Sequence, residues 1–148
     1  ADRRMTNGVN KNRSYSMNSW VSELKVGGTG VSAPFSVNSS YQLFRRLGDF
    51  TSTAATDVWV MIDEHESGIN DSWFAVDLSG SRTWLDLPTA RHGGAYSLNF
   101  ADGHSEIFKL QQVGLFSGPT PTVPLNVPQA SQTANADWLK LRLVSGQK

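Results

Sequence analysis

The chain contains no cysteine, which removes any disulfide framework and any thiolate metal site, and leaves the redox compartment unread. Neither sign of charge is in excess. Thirteen Lys and Arg stand against 13 Asp and Glu, so the basic footprint of a nucleic-acid binder is missing, as is the cationic face of a membrane-surface protein. Nucleic acid is not an expected partner. No stretch approaches the roughly 18 consecutive apolar residues of a membrane span, and the opening ADRRMTNGVN lacks the apolar stretch of a signal peptide. There is no G-x-S-x-G elbow and no G-x-x-x-x-G-K-[ST] phosphate loop, and GGTG at Gly27 to Gly30 is not followed by a credible helix.

What is present fits one domain: 148 residues suffice for a single ordinary core. Short apolar runs separated by Gly, Ser, Asn and Pro predict a sheet-rich fold with few short helices and long loops. RSYSMNSWV (Arg13 to Val21) alternates Tyr15 and Met17 against Ser14, Ser16 and Asn18, as a half-buried strand does. DVWVMID (Asp57 to Asp63) is continuously apolar between two acids, which predicts a strand buried on both faces at the centre of the sheet. SWFAVDL and RTWLDL are further strand candidates. SYQLFRRLGDF spaces Tyr41, Leu43, Phe44 and Leu47 as a short helix would, with Ser39 or Ser40 as N-cap and Gly48 as stop. KVGGTGVSAPFSVNSS reads as a Gly/Ser loop. SGPTPTVPLNVPQASQTAN holds four of the six prolines and reads as an extended connection. ADWLKLRLV predicts a terminal helix capped by Asn135 or Asp137, with a strand as the alternative.

The strongest local signal is AYSLNFA and HSEIF joined by Asp-Gly, the pair best suited to a two-residue type I′ hairpin. That turn pairs Ala101 with His104, Phe100 with Ser105, Asn99 with Glu106 and Leu98 with Ile107. Tyr96, Leu98, Phe100 and Ile107, with Ser105 among them, then face the core, and Asn99, His104 and Glu106 share the other side. Asp102 reads either as a turn former or as a ligand or acid, and His104 as a surface residue or a ligand.

A second polar cluster, IDEHESGINDSWF, follows the central strand and gathers Asp63, Glu64, His65, Glu66, Asn70 and Asp71. The zinc motif H-E-x-x-H is excluded because Ile69 stands where its second His belongs, and the Asp/Asn series of an EF-hand is absent. Two readings stay open. The cluster caps strand ends and makes loop hydrogen bonds, or it joins the other polar groups as a cation site. The oxygen-rich loop suits Ca²⁺, whereas convergence of His65, His92 and His104 with carboxylates would suit a transition metal. The five Trp residues offer either core packing or stacking surfaces for sugars. An exposed row of Trp20, Trp73 and Trp84 would favour a polysaccharide partner and a carbohydrate-binding module or adhesin. A cleft holding the three histidines would favour a small metal-dependent enzyme.

RHGGAYSLNFADGHSEIFKL places His92, nine residues, then Asp102-Gly103. This spacing resembles the prepilin-type processing-associated H-X9-DG domain of pseudopilin-like proteins. RSYSMN, IDEHESGINDSWF, LPTARHGG and the closing DWLKLRL resemble segments that such proteins carry in the same order, so the resemblance covers most of the chain. It implies an α+β, antiparallel β-sheet-rich, pilin-like globular domain, expected to be the C-terminal part of a subunit whose N-terminal membrane and filament helix lies elsewhere. The implied location is the cell envelope, periplasmic or at the cell surface, and the implied partners are other pseudopilin subunits or secretion cargo. The family carries no established catalytic residues. Calcium at Asp63, Glu64, Asn70, Asp71 or Asp102 is implied by analogy with type II secretion pseudopilins, which often bind it in a loop of the globular domain.

Overall fold

The computed structural model of the chain describes residues 5–6, 9–10, 14–21, 44–69, 72–76, 84–111, 116 and 137. Met5–Thr6 (β1) and Val9–Asn10 (β2) form a small antiparallel pair. The main sheet joins Tyr15–Asn18 (β3), Trp59–Asp63 (β4), Trp73–Phe74 (β5), Ala95–Phe100 (β6) and Ser105–Lys109 (β7) in the order β5-β3-β4-β6-β7. Four neighbours in that order make three antiparallel pairs, but β3 and β5 run parallel. The sheet is therefore mixed rather than wholly antiparallel.

The continuous apolar run does place β4 at the centre. Its burial is not uniform, because Met61 is exposed. The register gives the reason. Trp59 pairs with Phe100 and Met61 with Asn99, so Val60 is an extra residue with no partner on β6. This bulge turns both Trp59 and Ile62, three residues apart, toward the core with Phe100 and Leu98. Glu64 then follows Ile62 on the buried side.

Polarity on β3 is the reverse of the usual half-buried strand. Ser16 and Asn18 are buried and Tyr15 is exposed. The inward polar groups have fixed partners: the Ser16 hydroxyl donates to Glu64 Oε2, and Asn18 Nδ2 donates to the Trp59 carbonyl at 2.9 Å. Asn18 Oδ1 also accepts the Trp20 N–H at 3.0 Å, turning the chain at the strand end.

Among the described residues helix is limited to two 3-10 turns, Leu47–Asp49 and Ala55–Asp57, and the single helical positions Phe116 and Asp137. Gly48 lies inside the first turn rather than ending a helix, and Leu47 is 79% exposed. The remainder of that expected helix, with Tyr41 and Leu43, lies outside the described residues. So do both long loops and most of the terminal segment, of which only Asp137 is described. Its carboxylate accepts the Gln111 N–H at 3.0 Å. Among the described residues no helix is long and apolar enough to cross a membrane.

The hairpin forms with a different turn. Gly103 N–H donates to the Phe100 carbonyl at 3.0 Å and Phe100 N–H to the His104 carbonyl at 2.9 Å, enclosing the three residues Ala101, Asp102 and Gly103. Gly103 has φ +95°, the position that such a loop reserves for glycine. One extra loop residue shifts the register by one, so Asn99 pairs with Ser105 and Tyr96 with Phe108. Every β7 side chain changes face in consequence. Ile107, expected in the core, is 78% exposed, and Phe108 takes its place beneath Tyr96 and Phe100.

Candidate functional site

The candidate residues divide between the two ends of the strand pair β4/β6. At one end Ala101 N–H donates to the Val58 carbonyl at 2.9 Å, which fixes the hairpin tip beside the start of β4. At the other end lie Asp63, Glu64 and His65. Four strand residues at about 3.3 Å each separate Trp59 from Asp63, roughly 13 Å. His104 and Asp102 therefore do not join His65 and His92 in one site.

The β4 end is the more enclosed. Asp63 Oδ2 lies 2.6 Å from His92 Nε2, and Asp63 Oδ1 lies 3.6 Å from Arg91 Nη2. The Asp63 side chain is 3% exposed and that of His92 is 56% exposed, so a buried carboxylate stands behind an imidazole that faces solvent. Burial pushes the Asp63 carboxyl above the usual range, with Glu66 adding to the rise, although the His92 hydrogen bond and the Arg91 charge pull it down.

Main-chain bonds hold the loop after Leu87 against this end. His65 N–H donates to the Leu87 carbonyl at 2.8 Å, Thr89 N–H to the Asp63 carbonyl at 3.0 Å, and Gly94 N–H to the Ala90 carbonyl at 3.0 Å. Arg91 completes the clamp, donating through Nη2 to the Glu64 carbonyl at 2.9 Å and through Nε to Thr89 Oγ1 at 2.8 Å. Glu64 is fully buried, receives Ser16, and is approached so closely by Gly68 that a Cβ there would sit 2.9 Å from Glu64 Oε1. His65 is buried and accepts the Ser67 N–H at Nδ1, 3.1 Å away. An Nδ1 that accepts leaves the ring proton on Nε2, which faces Glu66 Oε2 at 4.0 Å.

The hairpin tip repeats the Asp–His pairing in the open. His104 Nδ1 lies 2.5 Å from Asp102 Oδ1, which also accepts the His104 N–H at 3.2 Å. His104 Nε2 is 3.5 Å from Glu106 Oε1, and its ring stacks on Phe100 with centroids 4.3 Å apart. The His104 hydrogen bond holds the Asp102 carboxyl below the usual range. Asp102 thus pairs with His104 and not with His92.

Asn70 and Asp71 lie outside the described residues. Among the described residues no three His, Asp or Glu side chains group so as to hold a metal ion. Trp20 and Trp84 are buried and Trp73 is half-buried, so these three make no exposed aromatic row. Trp20 spends its indole N–H on the Val76 carbonyl at 2.9 Å.

No family model, curated protein or solved structure matches the chain. The arrangement is therefore read from its own chemistry. A buried carboxylate bonded to Nε2 can orient the His92 ring, with Nδ1 as its other nitrogen. Among the described residues no nucleophile is hydrogen-bonded to that nitrogen, so the pair has the form of an anchored imidazole rather than a complete catalytic relay. Ser16, Thr89 and Arg91 were not candidates from sequence. Their only signal was position: Ser16 in the alternating strand, Thr89 and Arg91 in the segment just before His92.

Proposed function

We propose that this chain is the globular structural and interaction domain of a pseudopilin-like subunit, part of a type II secretion or pilus-like filament at the cell envelope. The observation that carries the reading is the use of the H-X9-DG residues. His92 ties the entry of β6 to the buried Asp63, and Gly103 makes the turn at the exit of the same strand. Both ends of the spacing serve the sheet, as a motif that preserves a fold rather than a reaction would.

The sheet-rich arrangement of the described residues is compatible with a pilin-like globular domain. Partners in this reading are neighbouring subunits and secretion cargo. The test is fractionation of cells that carry the gene, followed by cross-linking of filaments sheared from their surface. The chain should partition with the envelope and form a ladder of multiples. Recovery only as a cytosolic species that never enters such a ladder overturns the proposal.

A further inference from the structure

Strand β7 is an outer strand of the sheet among the described residues, and its free edge has a defined hydrogen-bonding parity. Phe100 N–H donates to the His104 carbonyl and Leu110 N–H to the Gly94 carbonyl, each at 2.9 Å. In an antiparallel ladder the bonded pairs alternate, so the even-numbered residues of β7 spend their backbone groups on β6. Ser105, Ile107 and Lys109 turn their N–H and C=O groups outward. Their side chains lie on the sheet face opposite Phe108, and Ile107 is 78% exposed. The edge has a regular register from Ser105 to Lys109, with no bulge and no proline to interrupt pairing.

We propose that β7 pairs with β7 of a second copy of this chain, antiparallel, about a two-fold axis through Ile107. In that register each of the three outward-facing residues meets another: Ile107 meets Ile107, and Ser105 meets Lys109 in both directions. About six ladder bonds form, and sliding the strands by two residues leaves some of these groups unpaired. Lys109 then lies opposite Ser105 and Glu106 opposite Phe108, so no like charges face each other directly. The formal net charge of zero leaves little long-range repulsion between copies.

A contact of one short strand on each side falls below the roughly 1,200 Å² of a standard specific interface. The dimer is accordingly weak and depends on concentration, and it strengthens where copies are already held side by side. The inference stands on the geometry of the edge and is independent of the envelope reading.

Because the chain has no cysteine, single thiols report the register directly. Opposed Cα atoms in a bonded antiparallel pair are about 5.5 Å apart, within disulfide reach, so Ile107→Cys should oxidise to a covalent dimer. Ser105→Cys is the control, since its counterpart in the second copy lies about 13 Å away. Under mild oxidation Ile107→Cys should cross-link at least about tenfold faster than Ser105→Cys. Sedimentation of the wild-type chain should show mean mass rising with concentration, and Ile107→Lys should abolish the rise. Equal cross-linking rates, or a mass that rises equally in Ile107→Lys, overturn the two-fold register. A wild-type chain that stays monomeric at the highest concentration overturns the association itself.

Discussion

Two Asp–His pairs of nearly equal length occupy opposite ends of one strand pair, and they behave in opposite ways. Asp63 and His92 are 2.6 Å apart, Asp102 and His104 2.5 Å. The first carboxyl is pushed up by burial, the second held down by its imidazole. Distance alone does not decide the sign. Desolvation outweighs the hydrogen bond where the carboxylate is enclosed, and the hydrogen bond prevails where water still reaches the group. The enclosed pair anchors a loop to the sheet, whereas the open pair dresses a turn that the backbone already makes.

The largest expected effect tests the register that separates the two ends. Phe108→Ala should cost about 3 kcal/mol by emptying its place beneath Tyr96 and Phe100. Ile107→Ala should stay within about 0.5 kcal/mol. Urea unfolding of both variants measures this, and the reverse order would restore the two-residue turn. Next in size is Asp63→Ala, which leaves Arg91 and His92 without their carboxylate and should cost about 2–3 kcal/mol. Asp102→Ala should shift the same midpoint far less. Gly103→Ala follows, at about 1–2 kcal/mol, entirely through its positive φ, since no atom lies within 4 Å of the added Cβ. An unchanged midpoint in this variant would refute the three-residue loop.

The smallest effect is the most diagnostic of the comparison. A raised folded pKa means that Asp63 contributes fully below its unfolded value near 4, and that this contribution is lost as pH rises through the folded value. A lowered folded pKa means that Asp102 contributes above about 4 and loses that contribution as pH falls through its folded value. Melts of Asp63→Asn and Asp102→Asn, each compared with the parent between about pH 3 and 7, should therefore differ from it with opposite slopes. Parallel slopes would mean that the two ends are not electrostatically distinct.

The sequence revealed whichever features depend on local pattern. An apolar run between two acids marked β4 as the centre, and Asp-Gly marked a hairpin. The register was hidden because Asp-Gly serves both a two-residue turn and a three-residue loop ending in glycine; the choice rests on how Ala101 is used. Polarity on β3 was hidden for another reason. Ser16 and Asn18 face inward because Glu64 and the Trp59 carbonyl require donors there, and those partners are more than forty residues away. The site was legible as a set of residue types but not as pairs. His92 finds Asp63 across 29 positions, with no periodicity to announce it.

The nine residues between His92 and Asp102 span the whole of β6 with its flanking turns, so the spacing works as a ruler laid along one strand. A ruler of this kind has a parity. One residue added within β6 would turn Leu98 or Tyr96 outward, or carry glycine out of the turn. Two residues added would keep every face and lengthen the strand by one pleat, about 6.6 Å, but would draw His92 away from Asp63 unless β4 grew to match. The tolerated lengths of this motif are therefore set jointly by two strands, and a change in one has to be answered in the other.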